Sequence, residues 1–283
     1  TYAEYGLEVT ILPGGPQTQG RALLAAGRVE FYMGVATGAL NALEQGIPTV
    51  TLASLFQKDP QVLMAHPGRF DSFEDLAGAS KYILSATGLT SYFAWMQSEW
   101  PEFSEDKYEP YQFNPAAFLA DENAIQQGYV TSEPLAIERV AGFKPDVWLL
   151  ADQGYRPYST TIEVMKPWLE GNRDVARRFV EASIIGWYKY LYGDNAAANA
   201  LIQADNPEMT DEQIAHSIEA MKAYGIVVSG DAETHGIGCM TDEGWTAFYE
   251  AMVAAGVYPA GLDVSQAYTT EFVCHGLGME LLR

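Results

Sequence analysis

Hydrophobic runs alternate with glycine-stopped amphipathic stretches over the first 60 residues. The β-branched run in "LEVTILPGG" predicts a strand that ends in a glycine turn, and "QTQGRALLAAG" predicts a helix that stops at Gly27. The same pattern repeats as strand "VEFYMGVA", helix "TGALNALEQG" and strand "PTVTLASLF". Such alternation with short connections is typical of a parallel sheet with helices on its faces, so we predict an α/β fold.

A second unit of the same kind follows a turn-rich connection, "AHPGRFDSFEDLAGAS". Its elements are a strand, turn and helix in "KYILSATGLTSYFAWM", then strands in "YEPYQFN", "QQGYVTSEP" and "PDVWLLADQG". The remainder is helical: "NRDVARRFVEASIIGWYKYLYG", "NAAANALIQAD", "TDEQIAHSIEAMKAYG" and "DEGWTAFYEAMVAAG". We therefore expect two lobes, residues 1–70 plus 159–283 as lobe I and 71–158 as lobe II, with a ligand cleft that closes at a hinge.

The charge balance removes several classes of partner. The chain has 37 acidic and 16 basic residues, so its field repels nucleic acid and anionic lipid, and we expect no nucleic-acid partner. The longest apolar run, around 184–191, is interrupted by Lys189 and falls short of the roughly 18 residues of a membrane span. With 48% hydrophobic residues in 283, the chain can fill two domain-sized cores.

The two cysteines leave alternatives open. Cys239 and Cys274 have His235 and His275 nearby in sequence, but the spacing is poor for structural zinc, so we expect no metal. Even in an oxidising compartment, a Cys239–Cys274 disulfide and two unpaired thiols stay open as alternatives.

The loop "LPGGPQTQGRALLAAG" comes close to a nucleotide-binding P-loop. Gly15 and Gly20 have the GxxxxG spacing, but Arg21 and Ala22 follow where Lys and Ser or Thr would be needed, so no magnesium-nucleotide site is predicted. The loop is either a tight turn with Gly14 and Gly15 at positive φ, or a rim that presents Gln17 and Thr18 to a ligand at a helix N-terminus.

Catalytic motifs do not emerge from the sequence. It contains no GxSxG elbow, and its four histidines lie in no hydrolase motif. We therefore expect a protein that is not an enzyme and needs no cofactor.

Three stretches together resemble a known family: "YGLEVTILPGGPQTQGRALLAAGRVEFYMGVATGAL", "SFEDLAGASKYILSATG" and "GYVTSEPLAIER". They are similar to the NMT1/THI5-like solute-binding proteins of ABC transporters. The resemblance implies a type II periplasmic-binding-protein fold, a monomer with a small-molecule ligand between its lobes, and an ABC permease as partner. It also implies a periplasmic location after removal of a signal peptide, or a lipid-anchored extracellular one.

Two departures from the family pattern matter. Family members usually begin with a further strand and helix ahead of "GLEV", so we expect one wall of the site to lie outside this sequence. The pyrimidine synthases of the family carry a cysteine-rich cluster, which two distant cysteines do not match.

Ligands of open α/β sheets bind beyond the carboxyl ends of strands, which points to Gly14–Gln19, Gly34–Thr37 and Ser54–Lys58.

In "YVTSEPLA", Glu133 is either a first-turn acid favoured by the helix dipole or, as the resemblance implies, a cleft carboxylate that accepts hydrogen bonds from an aminopyrimidine. The helix start in "SATGLTSYF" is either a ligand site or an ordinary N-cap by Thr87.

Aromatic residues supply the remaining candidates. Most aromatics belong to cores, but Phe56, Tyr155 and Tyr158 lie at predicted strand ends or in the crossing segment, and Gly186 allows close approach beside Trp187. The candidate ligand-binding residues are Gln17, Thr18, Tyr32, Thr37, Phe56, Gln57, Thr87, Thr90, Ser91, Asn114, Glu133, Tyr155, Tyr158 and Trp187.

This inventory favours a flat, neutral or weakly cationic heteroaromatic ligand, such as a pyrimidine or thiamine precursor. A sulfonate, nitrate or other anion is the alternative, although the rims offer only Lys58 and Arg156 as cations. A pyrimidine-synthesis enzyme of the same fold is the third possibility.

Overall fold

A computed structural model describes residues 1–15 and 18–282. The strands are β1 (Tyr32–Val35), β2 (Thr49–Phe56), β3 (Gln61–Ala65), β4 (Tyr82–Leu84), β5 (Tyr108–Pro110), β6 (Ile125–Tyr129), β7 (Asp146–Leu149) and β8 (Ser159–Met165). The helices are α1 (Gly20–Ala25), α2 (Ala36–Glu44), α3 (Ala86–Gly88), α4 (Ala94–Glu99), α5 (Ala116–Ala120), α6 (Glu133–Ala141), α7 (Lys166–Tyr192), α8 (Ala196–Asp205), α9 (Asp211–Ala223), α10 (Gly230–His235) and α11 (Asp242–Ala254). A π-helical stretch, Leu89–Phe93, joins α3 to α4.

The strands form two sheets. Sheet A has the order β1-β8-β2, with β8 antiparallel to both neighbours. Sheet B has the order β5-β4-β6-β3-β7, in which β4 is parallel to β5 and β6, and β3 is antiparallel to β6 and β7. The chain therefore crosses from sheet A to sheet B between β2 and β3, and returns between β7 and β8.

Strands β2 and β3, on either side of the first crossing, are continuous apolar runs because they are buried. Every residue of β2 except Phe56 is buried, as is all of β3, because helices and loops cover both faces of each sheet. This leaves residues 57–60 as a short polar link between two buried strands.

Three details of the predicted first unit are wrong. The first sheet is not parallel, because β8 returns from the second crossing and inserts between β1 and β2. Residues 7–15 form no strand: no neighbouring strand pairs with them in the described ranges, and Ile11 and Leu12 are 74% and 59% exposed. Gly14 and Gly15 are not at positive φ, unlike Gly27 and Gly46, which end helices.

Strands β3 and β8 were not predicted from the sequence. The division into residues 1–70 plus 159–283 and 71–158 stays a prediction. Because β3 is hydrogen-bonded within sheet B, strand pairing alone favours a boundary near residues 57–60.

The C-terminal part is helical, as the sequence predicts. Helix α7 bends at Asn172 (φ −133°, ψ 26°), whose side-chain amide donates to the Trp168 carbonyl over 2.8 Å. Cys239 and Cys274 form a disulfide, which decides between the two alternatives left open by the sequence. Within the described residues, no helix is long and apolar enough to cross a membrane.

Candidate functional site

The two crossings between the sheets lie beside each other. Lys58 Nζ in the first crossing lies 2.6 Å from Asp152 Oδ1, just ahead of the second. The next residue, Asp59, accepts a hydrogen bond from the Gln61 N–H over 2.9 Å. Burial raises the pKa of the Asp59 carboxyl, and hydrogen bonds from Ser159 and the Gln61 N–H partly offset this. A half-buried carboxylate thus stands where both crossings meet.

Three tyrosines lie close enough to Asp59 for its charge to raise their pKa values. Gln61 pairs with Tyr129 across β3 and β6, and the Val130 N–H donates to the Pro60 carbonyl over 2.9 Å, so Tyr129 lies next to the first crossing. Burial raises the pKa of Tyr129 to about 12, and the negative charge of Asp59 adds to the rise. Burial is also the main cause of the raised pKa values of Tyr92 and Tyr155; the charge of Asp59 comes next for Tyr155, whereas for Tyr92 it follows the effects of Tyr155 and Tyr129.

Tyr155 lies between elements of the two sheets. Its ring centroid is 5.4 Å from that of Trp95 in α4, 5.6 Å from that of Phe248 in α11, and 6.2 Å from that of Tyr92. Helix α4 lies between β4 and β5 of sheet B in the chain, whereas α11 packs on Tyr268, which bridges to β2 of sheet A. Rings from both sides therefore meet at Tyr155.

The Tyr92 hydroxyl is fixed by β6. It donates to Gln127 Oε1 over 2.8 Å, and the same oxygen accepts the Ser85 N–H over 2.6 Å. The amide of Gln127 therefore sets both the start of α3 and the direction of the Tyr92 ring. We call Asp59, Tyr92, Tyr129 and Tyr155 the tyrosine-carboxylate cluster.

A second polar group lies at the first glycine loop. The carboxylate of Glu163 on β8 is fully buried and binds both terminal nitrogens of Arg21, one of them at 3.0 Å, while Thr161 Oγ1 donates to it over 3.1 Å. Burial raises the pKa of Glu163, and Arg21 opposes the rise. A side chain at Gly34 would collide with this carboxylate, so the strand needs glycine there.

Several predicted residues tie the C-terminal segment to sheet A. Gln57 donates to the Cys239 carbonyl over 2.8 Å, and the Tyr158 hydroxyl donates to Asp231 and accepts the Thr241 N–H over 2.9 Å. Phe56 and Trp187 pack edge to face at 5.4 Å. These four side chains are engaged in packing and internal hydrogen bonds.

Around α1 and α2, two other predicted residues also have partners. The Tyr32 ring lies 5.3 Å beneath the Arg21 guanidinium, and the Thr37 carbonyl accepts the Tyr258 hydroxyl over 2.9 Å. Thr18 is exposed, and its N–H donates to the Gly15 carbonyl over 2.9 Å. Gln17 lies outside the described residues.

The helix-start residues of the sheet B side mostly serve their own helices. Ser85, not Thr87, is the N-cap of α3, since its hydroxyl accepts the Gly88 N–H over 3.0 Å; the alternative of an N-cap by Thr87 is wrong. Thr87 is exposed, and its carbonyl accepts the hydroxyls of Thr90 and Ser91.

Asn114 and Glu133 have local hydrogen bonds as well. The Asn114 side chain accepts the Ala116 N–H over 3.1 Å at the start of α5. The Glu133 carboxylate accepts the Tyr129 N–H over 2.8 Å, as expected of a first-turn acid. Through that bond Glu133 also lies beside the tyrosine-carboxylate cluster.

Sequence reasoning reached only part of this junction. Tyr155 was predicted, and Ser91 and Glu133 contact the cluster, but Asp59, Tyr129 and Gln127 were missed. A signal for Asp59 was present in "FQKDPQV", where an acid sits in the link between two fully apolar runs.

A surface groove of about 270 Å³ includes Val130, the residue after Tyr129 of the cluster. Another, of about 570 Å³, runs between α8 and α9 and is open to solvent. Its lining side chains include Asn199, Ile218 and Lys222, and none of the lining residues belongs to either crossing. We therefore place the candidate site at the cluster rather than in the groove.

Across residues 1–15 and 18–282, no group of three or more His, Cys, Asp or Glu side chains is arranged to hold a metal ion.

The sequence is similar to those of known solute-binding proteins. The profile of the family described as NMT1/THI5-like matches residues 2–198. The riboflavin-binding protein RibY of Chloroflexus aurantiacus is 27% identical over 259 residues, which cover 88% of this chain and 71% of RibY.

Solved structures show the same fold at low identity. The periplasmic aliphatic sulphonate binding protein SsuA of Escherichia coli superposes with a TM-score of 0.61 at 14% identity, over 90% of this chain and 80% of SsuA. The desulfurization enzyme DSZB, in a variant bound to biphenyl-2-sulfinic acid, gives 0.59 at 13%, over 95% of this chain and 90% of DSZB. The predicted two-lobe α/β architecture of a periplasmic binding protein is confirmed.

Proposed function

Because the chain belongs to the NMT1/THI5-like family, we propose that it is the solute-binding component of an ABC importer. Its ligand is a small heteroaromatic molecule held between the two lobes. The observation that carries this proposal is the tyrosine-carboxylate cluster, which collects aromatic rings and one acceptor where the two crossings meet.

A flat heterocycle matches what the cluster offers. Ring pairs contribute about 0.5–1.5 kcal/mol each beyond the area they bury, and a few fixed polar groups orient a ligand in an otherwise apolar cleft. Tyr129, 48% exposed, is available to a ligand, whereas Tyr155 and Trp95 are buried and pack against each other. The similarity to RibY supports a heteroaromatic ligand of the flavin or pyrimidine type.

An organic anion is the second candidate, favoured by the structural likeness to SsuA. The cations near the rims argue against it. Arg21 is held by Glu163, Lys58 by Asp152, and Arg156 donates its Nε to the Ala151 carbonyl over 2.9 Å. A sulfonate would have to compete with a carboxylate for Arg21 or Lys58, and only the terminal nitrogens of Arg156 can bind it without losing one of these contacts.

An enzyme of pyrimidine synthesis is the third candidate, and the DSZB fold shows that this architecture also serves catalysis in another protein. The cysteine chemistry of this chain does not favour it. Its two cysteines are joined to each other, so neither is free as a nucleophile or a metal ligand.

The same disulfide supports a periplasmic or extracellular location, where such bonds persist. A contact between α9 and the loop that joins β6 to α6 supports the proposal that the lobes close on the ligand. Gln213 and Ser217 both donate to the Thr131 carbonyl, over 2.9 and 2.8 Å. We propose that the protein acts as a monomer that delivers its ligand to an ABC permease.

Calorimetry of the purified chain with riboflavin, a 4-aminopyrimidine and an alkanesulfonate tests the proposal. We expect saturable binding and a raised melting temperature with at least one heterocycle, because a ligand that binds only the folded state stabilises it. Binding of the sulfonate with no response to either heterocycle would reject the heteroaromatic assignment and favour the anion.

A further inference from the structure

Asp59 is a half-buried acid with no basic partner. Within the described residues, no Lys, Arg or His nitrogen lies within 4.0 Å of its carboxylate. The adjacent Lys58 is not available, since its ammonium group is paired with Asp152 at 2.6 Å. A desolvated charge without a partner is costly, and proteins retain such groups mainly at functional sites.

The hydrogen bonds of Asp59 leave part of its carboxylate free. The Gln61 N–H occupies Oδ1 at 2.9 Å, and the side chain of Ser159, at the start of β8, opposes the rise in the carboxyl pKa. A carboxylate can accept about four hydrogen bonds, so acceptor capacity remains. The neighbouring phenols are held in their protonated form by burial, and the hydroxyl of Tyr92 is already committed to Gln127.

From this geometry we propose that Asp59 is the specificity-determining acceptor of the ligand site, which selects a ring edge that bears an N–H donor and rejects anionic groups. The inference rests on the proposed function and sharpens it, because it names the edge chemistry of the ligand. Stacking on tyrosine tolerates any flat ring, so the hydrogen bond to Asp59 supplies the discrimination.

The test compares two ligands that differ by one donor. Riboflavin carries an imide N–H on its isoalloxazine ring, and 3-methylriboflavin replaces that hydrogen with a methyl group. We expect the wild-type protein to bind riboflavin about ten- to a hundredfold more tightly than the methylated compound, as a hydrogen bond to a charged group implies. This arm needs no variant.

The protein arm uses Asp59→Asn, which removes the charge and keeps the shape. We expect riboflavin affinity to fall about tenfold or more, and the preference over 3-methylriboflavin to shrink. An alkanesulfonate should bind Asp59→Asn more tightly than the wild type, because the repelling charge is gone. Asp71→Asn is the matched control: it removes an exposed acid that lies outside both crossings and should leave the ligand preference unchanged.

The outcomes separate the two claims. Equal affinity of the wild type for both flavins, or an unchanged preference in Asp59→Asn, overturns the role of Asp59 while the proposed function stands. If the wild type binds neither flavin nor aminopyrimidine, the proposed function fails, and the role of Asp59 fails with it.

Discussion

Arg21 and Glu163 form a forked ion pair in which the carboxylate is fully buried and the guanidinium is 20% exposed. The pair joins the start of α1 to the middle strand of sheet A. Because removal of one partner leaves an uncompensated buried charge, Arg21→Ala should lower the free energy of unfolding by about 3–5 kcal/mol. Urea denaturation followed by circular dichroism measures this.

Arg177→Ala is the control for that experiment. Arg177 pairs with Asp174 and Glu181 on the surface of α7 and is 48% exposed, so its loss should change stability by less than about 1 kcal/mol. If the two substitutions lowered the free energy of unfolding equally, burial would not increase the contribution of the Arg21–Glu163 pair to stability.

The disulfide holds the segment to which Gln57 donates. Simultaneous Cys239→Ser and Cys274→Ser substitutions should lower the free energy of unfolding by about 2–4 kcal/mol, since a loop of 35 residues is then released in the unfolded chain. Treatment of the wild type with a reductant should lower the melting temperature, and treatment of the double variant should not. A reductant effect of the same size in both proteins would contradict this account.

Tyr129 offers a way to separate binding from stability. Its side chain is 48% exposed, so Tyr129→Ala should fold normally but bind a heteroaromatic ligand about two- to tenfold more weakly through lost stacking. Phe113→Ala, at a position 69% exposed, removes a comparable ring as control. Titration calorimetry on both variants measures the difference, and matching affinities would exclude Tyr129 from the ligand surface.

Alkaline titration reports on the same junction. Burial raises the pKa of both Tyr111 and Tyr129 to about 12, with the charge of Glu133 as a further contribution to each. In the unfolded chain these tyrosines ionise near pH 10, so the stability they contribute is complete below pH 10 and is lost as the pH rises to about 12.

Absorbance at 295 nm, which follows tyrosinate formation, tests that expectation. Glu133→Gln removes a negative charge beside both phenols and should shift part of the titration to lower pH. No change in the titration curve of Glu133→Gln would contradict the electrostatic assignment.

The elements that could be predicted from the sequence are those formed by interactions between residues close together in the chain. Strands β1 and β2 and the C-terminal helices were predicted correctly because periodicity and helix stops are local signals. Strand β8 was missed because "STTIEVM" becomes a strand only by inserting between β1 and β2. The run "LEVTIL" was predicted as a strand but forms none, because strand propensity without a paired neighbouring strand does not produce a sheet.

The site was harder to predict for the same reason. Tyr155 could be proposed from its place in a crossing, whereas Asp59 and Tyr129 meet only through the pairing of β3 with β6 and the approach of the two crossings. Gln57 and Tyr158 are polar or amphipathic residues at strand ends, as ligand contacts often are, yet their polar atoms bind the C-terminal segment.

The central position of β8 in sheet A also constrains the order in which the chain folds. Strand β8 begins about 100 residues after β2 ends and about 125 after β1 ends, so neither neighbour can complete its hydrogen bonds until this distant segment arrives. All strands of sheet B lie between β2 and β8 in the sequence, so they can pair first. As the chain folds, the apolar face of sheet A thus waits for its middle strand, and until β8 inserts, that face is open to contact with other chains.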